Sequence, residues 1–134
     1  MASMPWLAFW INGRHIEGMT NLPEIIYHMA HESDWTAAGE TGAYAGSPDD
    51  LRDGFIHFST AAQIRGSAAK HRAGQTDLLL VAYRTADFGV ELKWEGKTTL
   101  FPHFYGKLDP VHAATVVALP LSMSISFRLS ARVA

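Results

Sequence analysis

The chain contains no cysteine. That excludes a disulfide scaffold, a thiolate metal site and a cysteine nucleophile, and it fits a reducing cytoplasm. Surplus charge is also scarce: eleven Lys and Arg stand against thirteen Asp and Glu, a formal net charge of −2. The basic residues are scattered, so the cationic face of a nucleic-acid backbone binder is missing and no nucleic-acid partner is expected. No apolar run approaches the roughly 20 residues of a spanning helix, so no membrane partner is expected either. The apolar stretch "MPWLAFWI" (4–11) has no basic residue before it and no small-residue cleavage site after it, so it is not read as a signal peptide. Internal repeats and low-complexity blocks are absent from the sequence.

What is present is the balance of a folded domain: 134 residues, 48% hydrophobic and 18% charged. That length suits one domain with its own core. Within "INGRHIEGMTNLPEIIYHM", the "HIEG" stretch resembles the protease-site spacers of expression vectors, and Met19 follows directly. Residues 1–18 are therefore expected to be a vector-derived or non-native leader, and 19–134 a single domain. The alternative is a native extension that packs Trp6, Phe9 and Trp10.

Punctuation is regular from residue 24. "EIIYHMA" reads as a strand, with Ser33 as N-cap of a short helix over "DWTAAGETG". "YAGSPDDLRDG" reads as turns throughout. "FIHFS" is a second strand, with Ser59 or Thr60 capping a helix that Gly74 stops. Strands follow over "DLLLVAYRT", "VELKWEG", "LFPHFYG" (at an edge or bulge because of Pro102), "ATVVALPL" (buried) and "MSISFRLSARVA" (an edge). Mixed elements followed by a run of strands indicate an α+β fold, with a mainly antiparallel sheet and two helices.

Three apolar segments each carry a histidine within two residues of a hydroxyl: Tyr27-His28, His57-x-Ser59 and His103-x-Tyr105. Taken singly, each is most simply a satisfied structural histidine. Taken together, they fit the walls of one pocket. Residues i and i+2 of a strand share a face, so His57 joins Ser59 and Phe55, His103 joins Tyr105, and Ile56 and Phe58 line the opposite side. Imidazoles and hydroxyls converging this way suit a hydroxylated or phosphorylated small molecule. A three-histidine metal site is weaker, because no two of the three have ligand spacing. A Ser59–His57 nucleophile pair lacks the G-x-S-x-G elbow. "GETGAYAG" does not make a dinucleotide-binding glycine motif. Glu95 in "LKWEG" is the carboxylate set beside an aromatic in a strand, equally consistent with a solvated edge and with a site role.

The stretch "IYHMA", the block "DGFIHFST", the pair "WE" and the block "FPHFYG" occur here in that order. Together they resemble the small bacterial family catalogued as domain of unknown function 952, over about residues 25–121. That family is grouped with the ADP-ribosyltransferase-like superfamily. The resemblance implies two splayed antiparallel sheets around an NAD-binding cleft. It implies that His28 bonds the adenosine ribose of NAD and that His57 and Ser59 frame the nicotinamide. The superfamily's third motif is commonly a glutamate. Here Glu95 precedes His103 and no glutamate follows it, so His103 takes the third place. The expected catalytic set is thus His28, His57, His103 and Glu95, with Tyr27, Ser59 and Tyr105 binding ligand. No metal is expected, and no cofactor beyond NAD as a substrate. The expected partner is a nucleotide-type small molecule, with imidazoles doing acid–base work near neutral pH. A binding module that performs no chemistry is the alternative.

Overall fold

The computed structural model describes residues 8–11, 14–17 and 22–119. In chain order, β1 (Ala8–Ile11) and β2 (Arg14–Glu17) pair antiparallel, and Ile11 of β1 lies beside Trp94 of a later strand. The apolar run after Glu24 becomes β3 (Ile25–His31), which continues directly into α1 (Glu32–Thr41). Ser33 was expected as the cap. The helix instead begins at Glu32, whose N–H is already taken by the Asp77 carbonyl at 2.8 Å, so a side-chain cap is not needed there. α1 buries Trp35 and Ala38, one turn apart, and stops at Gly42 in the left-handed region (φ 83°).

The segment read as turns contains a third helix, α2 (Pro48–Asp53), and this corrects the expected count of two. Its signal was present: Ser47 at the cap, Pro48 in the first turn, and Asp50 reaching back to the Ser47 N–H, a capping-box arrangement in which Asp replaces the usual Glu. After β4 (Ile56–His57) a turn leads into α3 (Ile64–His71). The helix starts later than expected. Thr60 contributes through its carbonyl, which accepts from the Gln63 and Ile64 N–H groups, and through its N–H, which donates to Gln63 Oε1. The remaining strands are β5 (Leu78–Arg84), β6 (Leu92–Glu95), β7 (Phe101–Phe104) and β8 (Thr115–Ala118).

The strands make two sheets, β2-β1-β6-β7-β4 and β3-β5-β8, antiparallel except where β1 meets β6. The expected α+β class holds. Two strand expectations do not. Pro102 lies inside its sheet, between β6 and β4, rather than at an edge. Phe58 N–H donates to the Pro102 carbonyl, and proline has no N–H to return, so the missing donor falls where β4 is already ending. β8 is mostly exposed rather than buried, because among the described residues it has β5 on one side only and forms the sheet's edge. The strand expected over "MSISFRLSARVA" lies outside the described residues.

Alternation along β3 and β5 divides the core. Ile26, Ala30, Val81 and Tyr83 face the other sheet and pack with Phe58, Trp94 and Phe104. Tyr27, Met29, Leu80 and Ala82 face α3 and pack on Ile64 and Ala68. One stretch of chain belongs to both sheets. His57 stands opposite His103, and two residues later Ser59 exchanges two backbone bonds of 2.8 Å with Tyr27. The cleft opens at this crossing.

Candidate functional site

The Asp50 carboxylate organises one side of the cleft. It accepts from the Ser47 N–H (2.7 Å), the Ser47 hydroxyl (3.0 Å), the His57 N–H (3.0 Å) and His57 Nδ1. Burial would push this 2%-exposed carboxyl up, but the bonds from His57 and Ser47 win and hold it at about 2. Gly46 makes the approach possible. Its φ is 110°, and a Cβ there would lie 2.5 Å from Asp50 Cβ.

His57 is partly exposed, and its other nitrogen, Nε2, faces Asp53 Oδ2 at 3.1 Å. Ionised carboxylates only accept hydrogen bonds, so each ring nitrogen of His57 is set toward an acceptor. His28 lies behind it, 2% exposed. Its Nδ1–H donates to the His57 carbonyl (2.7 Å), and the Tyr44 hydroxyl donates to Nε2 (2.7 Å). Burial lowers the His28 pKa against the pull of Asp50, whose Oδ2 is 3.6 Å away, which fits a neutral ring. Both nitrogens are thus engaged, and His28 acts on the site through the position of His57.

His103 is built on the strand face. Its Nδ1–H donates to Glu95 Oε1 at 2.8 Å, and the same oxygen accepts the Tyr105 hydroxyl at 2.7 Å. Phe55 stacks on the imidazole with centroids 4.0 Å apart. Burial lowers the His103 pKa despite Glu95, leaving the ring neutral near pH 7 with Nε2 free of partners among the described residues. Burial also acts on Glu95, but bonds from Tyr105 and His103 keep its carboxyl below the ordinary range. The His57 and His103 rings meet edge-on, 5.5 Å between centroids.

A cavity of about 420 Å³ opens beside these rings, within the range of small-molecule sites. His57, Ser59, Phe101 and His103 form its strand wall, and α2 adds Asp49, Arg52 and Asp53. The opposite wall is one face of α3 and the turn before it, with Gln63, Gly66, Ser67 and Lys70 at helical spacing. Of the residues expected from sequence, Tyr27, His28, His57, Ser59 and His103 border this cavity, while Glu95 and Tyr105 stand behind His103. The Ser59 hydroxyl bonds that of Ser67 (2.9 Å). Asp50, Asp53, Tyr44, Lys70 and Arg72 were missed. Among the described residues no three His, Asp or Glu side chains converge in a group able to hold a metal ion, and no helix is long and apolar enough to cross a membrane.

A family profile described as "Protein of unknown function (DUF952)" matches residues 29–119, most of the chain. The chain belongs to the DUF952 family. The match includes Asp50, His57, Glu95 and His103, and begins one residue after His28. The DUF952 chain is also similar to solved structures of protein CC0527 from Caulobacter crescentus. The crystal structure is 37% identical with a TM-score of 0.69, covering 72% of this chain and 86% of that one. The solution NMR structure gives 37% and 0.64, covering 71% and 84%. No curated protein matches.

Proposed function

We propose that the cavity binds a small ribose-phosphate ligand of the NAD, ADP-ribose or nucleotide type, and that His57 and His103 act on it as an acid–base pair. The observation that carries this is the pairing itself: two imidazoles 5.5 Å apart at one end of a cavity, each held by its own carboxylate. Their surroundings differ in the sense that separates an acid from a base. His57, between two aspartates, is the donor; His103, neutral with Nε2 free, is the acceptor. An ADP-ribosyltransferase-like activity on NAD is one reaction of this class.

Calorimetric titration with NAD, ADP-ribose and AMP tests the ligand. A Cβ added at Gly66 meets nothing within 4 Å, so Gly66→Leu projects into the cavity and improves the helix. Binding that is lost in Gly66→Leu while the melting temperature stays level or rises supports the reading. No heat with any of the three ligands overturns it. A binding module is the second reading, favoured by the Asp53 contact that already occupies His57 Nε2. Nicotinamide release from bound NAD, or its absence, separates transfer at that bond from binding alone.

A further inference from the structure

The carboxylates nearest the two histidines are turned away from the cavity or already engaged. Asp50 is buried under four donors, and Glu95 Oε1 is shared by His103 and Tyr105. Asp49 and Asp53 reach the cavity but are bonded to Arg52, Arg72 and His57. A carboxylate that attacks a sugar carbon, or lies beside it to stabilise a cation, needs a free oxygen facing the ligand. None is offered. Nor does Ser59 serve as a nucleophile, because its hydroxyl points to Ser67 rather than to an imidazole. What faces the ligand is two imidazoles and an excess of cations. Arg52, Lys70 and Arg72 stand against Asp49 and Asp53 on the wall, and Lys70 makes no ion pair among the described residues.

Resting on the ligand reading above, we infer that the bond broken is a phosphorus–oxygen bond of a nucleotide phosphodiester, the simplest case being a 2′,3′-cyclic nucleotide opened by water. His103 Nε2 takes a proton from the attacking water as its oxygen bonds to phosphorus. His57 gives its Nε2 proton to the departing ribose oxygen once the ligand displaces Asp53. One O–H and one P–O bond break and one of each forms, giving a nucleoside monophosphate with no change of oxidation state. The two histidines end with their protonation exchanged, and solvent restores it. Lys70 and Arg52 face the non-bridging oxygens, where positive charge stabilises a phosphoryl transition state. A cavity of about 420 Å³ suits one nucleotide rather than an oligomer.

The test is incubation of the full chain with 2′,3′-cyclic AMP between pH 4.5 and 8.5, with the monophosphate products separated by chromatography. The expected profile is bell-shaped. His57→Gln and His103→Ala should each slow turnover by about 10²–10⁴-fold with binding retained. Lys70→Ala should lower kcat together with kcat/KM, by less than either histidine variant, because the charge it removes serves the transition state. The wild-type profile and the exposed Lys70 site keep the test informative where a histidine variant fails to fold. Retained nucleotide binding with no opening of the cyclic ester overturns this inference and leaves the ligand reading standing. Nicotinamide release from NAD without phosphodiester turnover also overturns it, by assigning the glycosidic bond instead. Failure of every nucleotide to bind removes both.

Discussion

The two histidine–carboxylate pairs are assembled by opposite means. Asp50–His57 rests on a six-residue helix cap: the carboxylate is 2% exposed, satisfies two backbone N–H groups, and has Gly46 against it. Glu95–His103 rests on strand pairing. β6 and β7 run antiparallel with Lys93 opposite His103, so Glu95, two residues on, lies diagonally beside the ring on the same face. Its side chain is 31% exposed, and the contacts that hold it come from side chains. One pair is part of the framework, and the other is laid on its surface. A buried carboxylate fixes a ring by making the fold depend on it, whereas an exposed one tunes a ring at little structural cost.

The largest effect that could break this contrast is in Asp50→Ala. Four donors lose their acceptor in a buried place, so about 3–5 kcal/mol of unfolding free energy should be lost in urea titration, against under about 1 kcal/mol for Glu95→Ala. Equal losses would remove the distinction. Gly46→Ala attacks the same framework from behind: the positive φ and the 2.5 Å approach to Asp50 should cost about 1–3 kcal/mol. A neutral result would mean that the cap shifts freely.

Acid titration sharpens the contrast next. The Asp50 carboxyl falls from an ordinary 3.8 to about 2 on folding, so its contribution is fully present above pH 4 and is lost as pH drops through 2. That is about 2 kcal/mol, seen as a falling melting temperature and absent in Asp50→Asn. His28 acts in the same direction at higher pH. Held neutral by burial, it declines a proton that the unfolded chain takes below about 6.5, so stability declines as pH falls past that point. The smallest effect belongs to Glu95→Gln. Stability should change by less than about 1 kcal/mol, while loss of the charge that raises the His103 pKa moves the lower limb of the turnover profile toward acid. A limb that stays in place would remove Glu95 from the tuning of His103.

The strand-borne half of the site was legible in the sequence, because side-chain alternation is fixed by the backbone: Phe55, His57 and Ser59 face inward while Ile56 and Phe58 are 1% exposed, as the period of two requires. The framework half was not. Ser47, Pro48 and Asp50 are turn formers as well as cap formers, and only the bond from Asp50 back to Ser47 decides between them. Glu95 stood in the expected catalytic set but without His103 as its partner, because order along the chain hid what a hairpin brings side by side. Lys70 and Gly66 were read as part of a helix whose apolar face alone was legible. Their own face became a cavity wall only when α3 docked through Ile64 and Ala68.

The crossing of the chain between the sheets has a consequence for how the protein matures. Ser59 finds Tyr27 far upstream, and His57 finds His103 far downstream. Such nonlocal contacts close late, after the entropy of two long loops has been spent, so folding should be slow for the chain's length. A fragment that ends before β7 cannot hold both imidazoles in register. A molecule bound between them therefore stabilises the folded chain as a whole, by an amount that grows with its concentration relative to its dissociation constant.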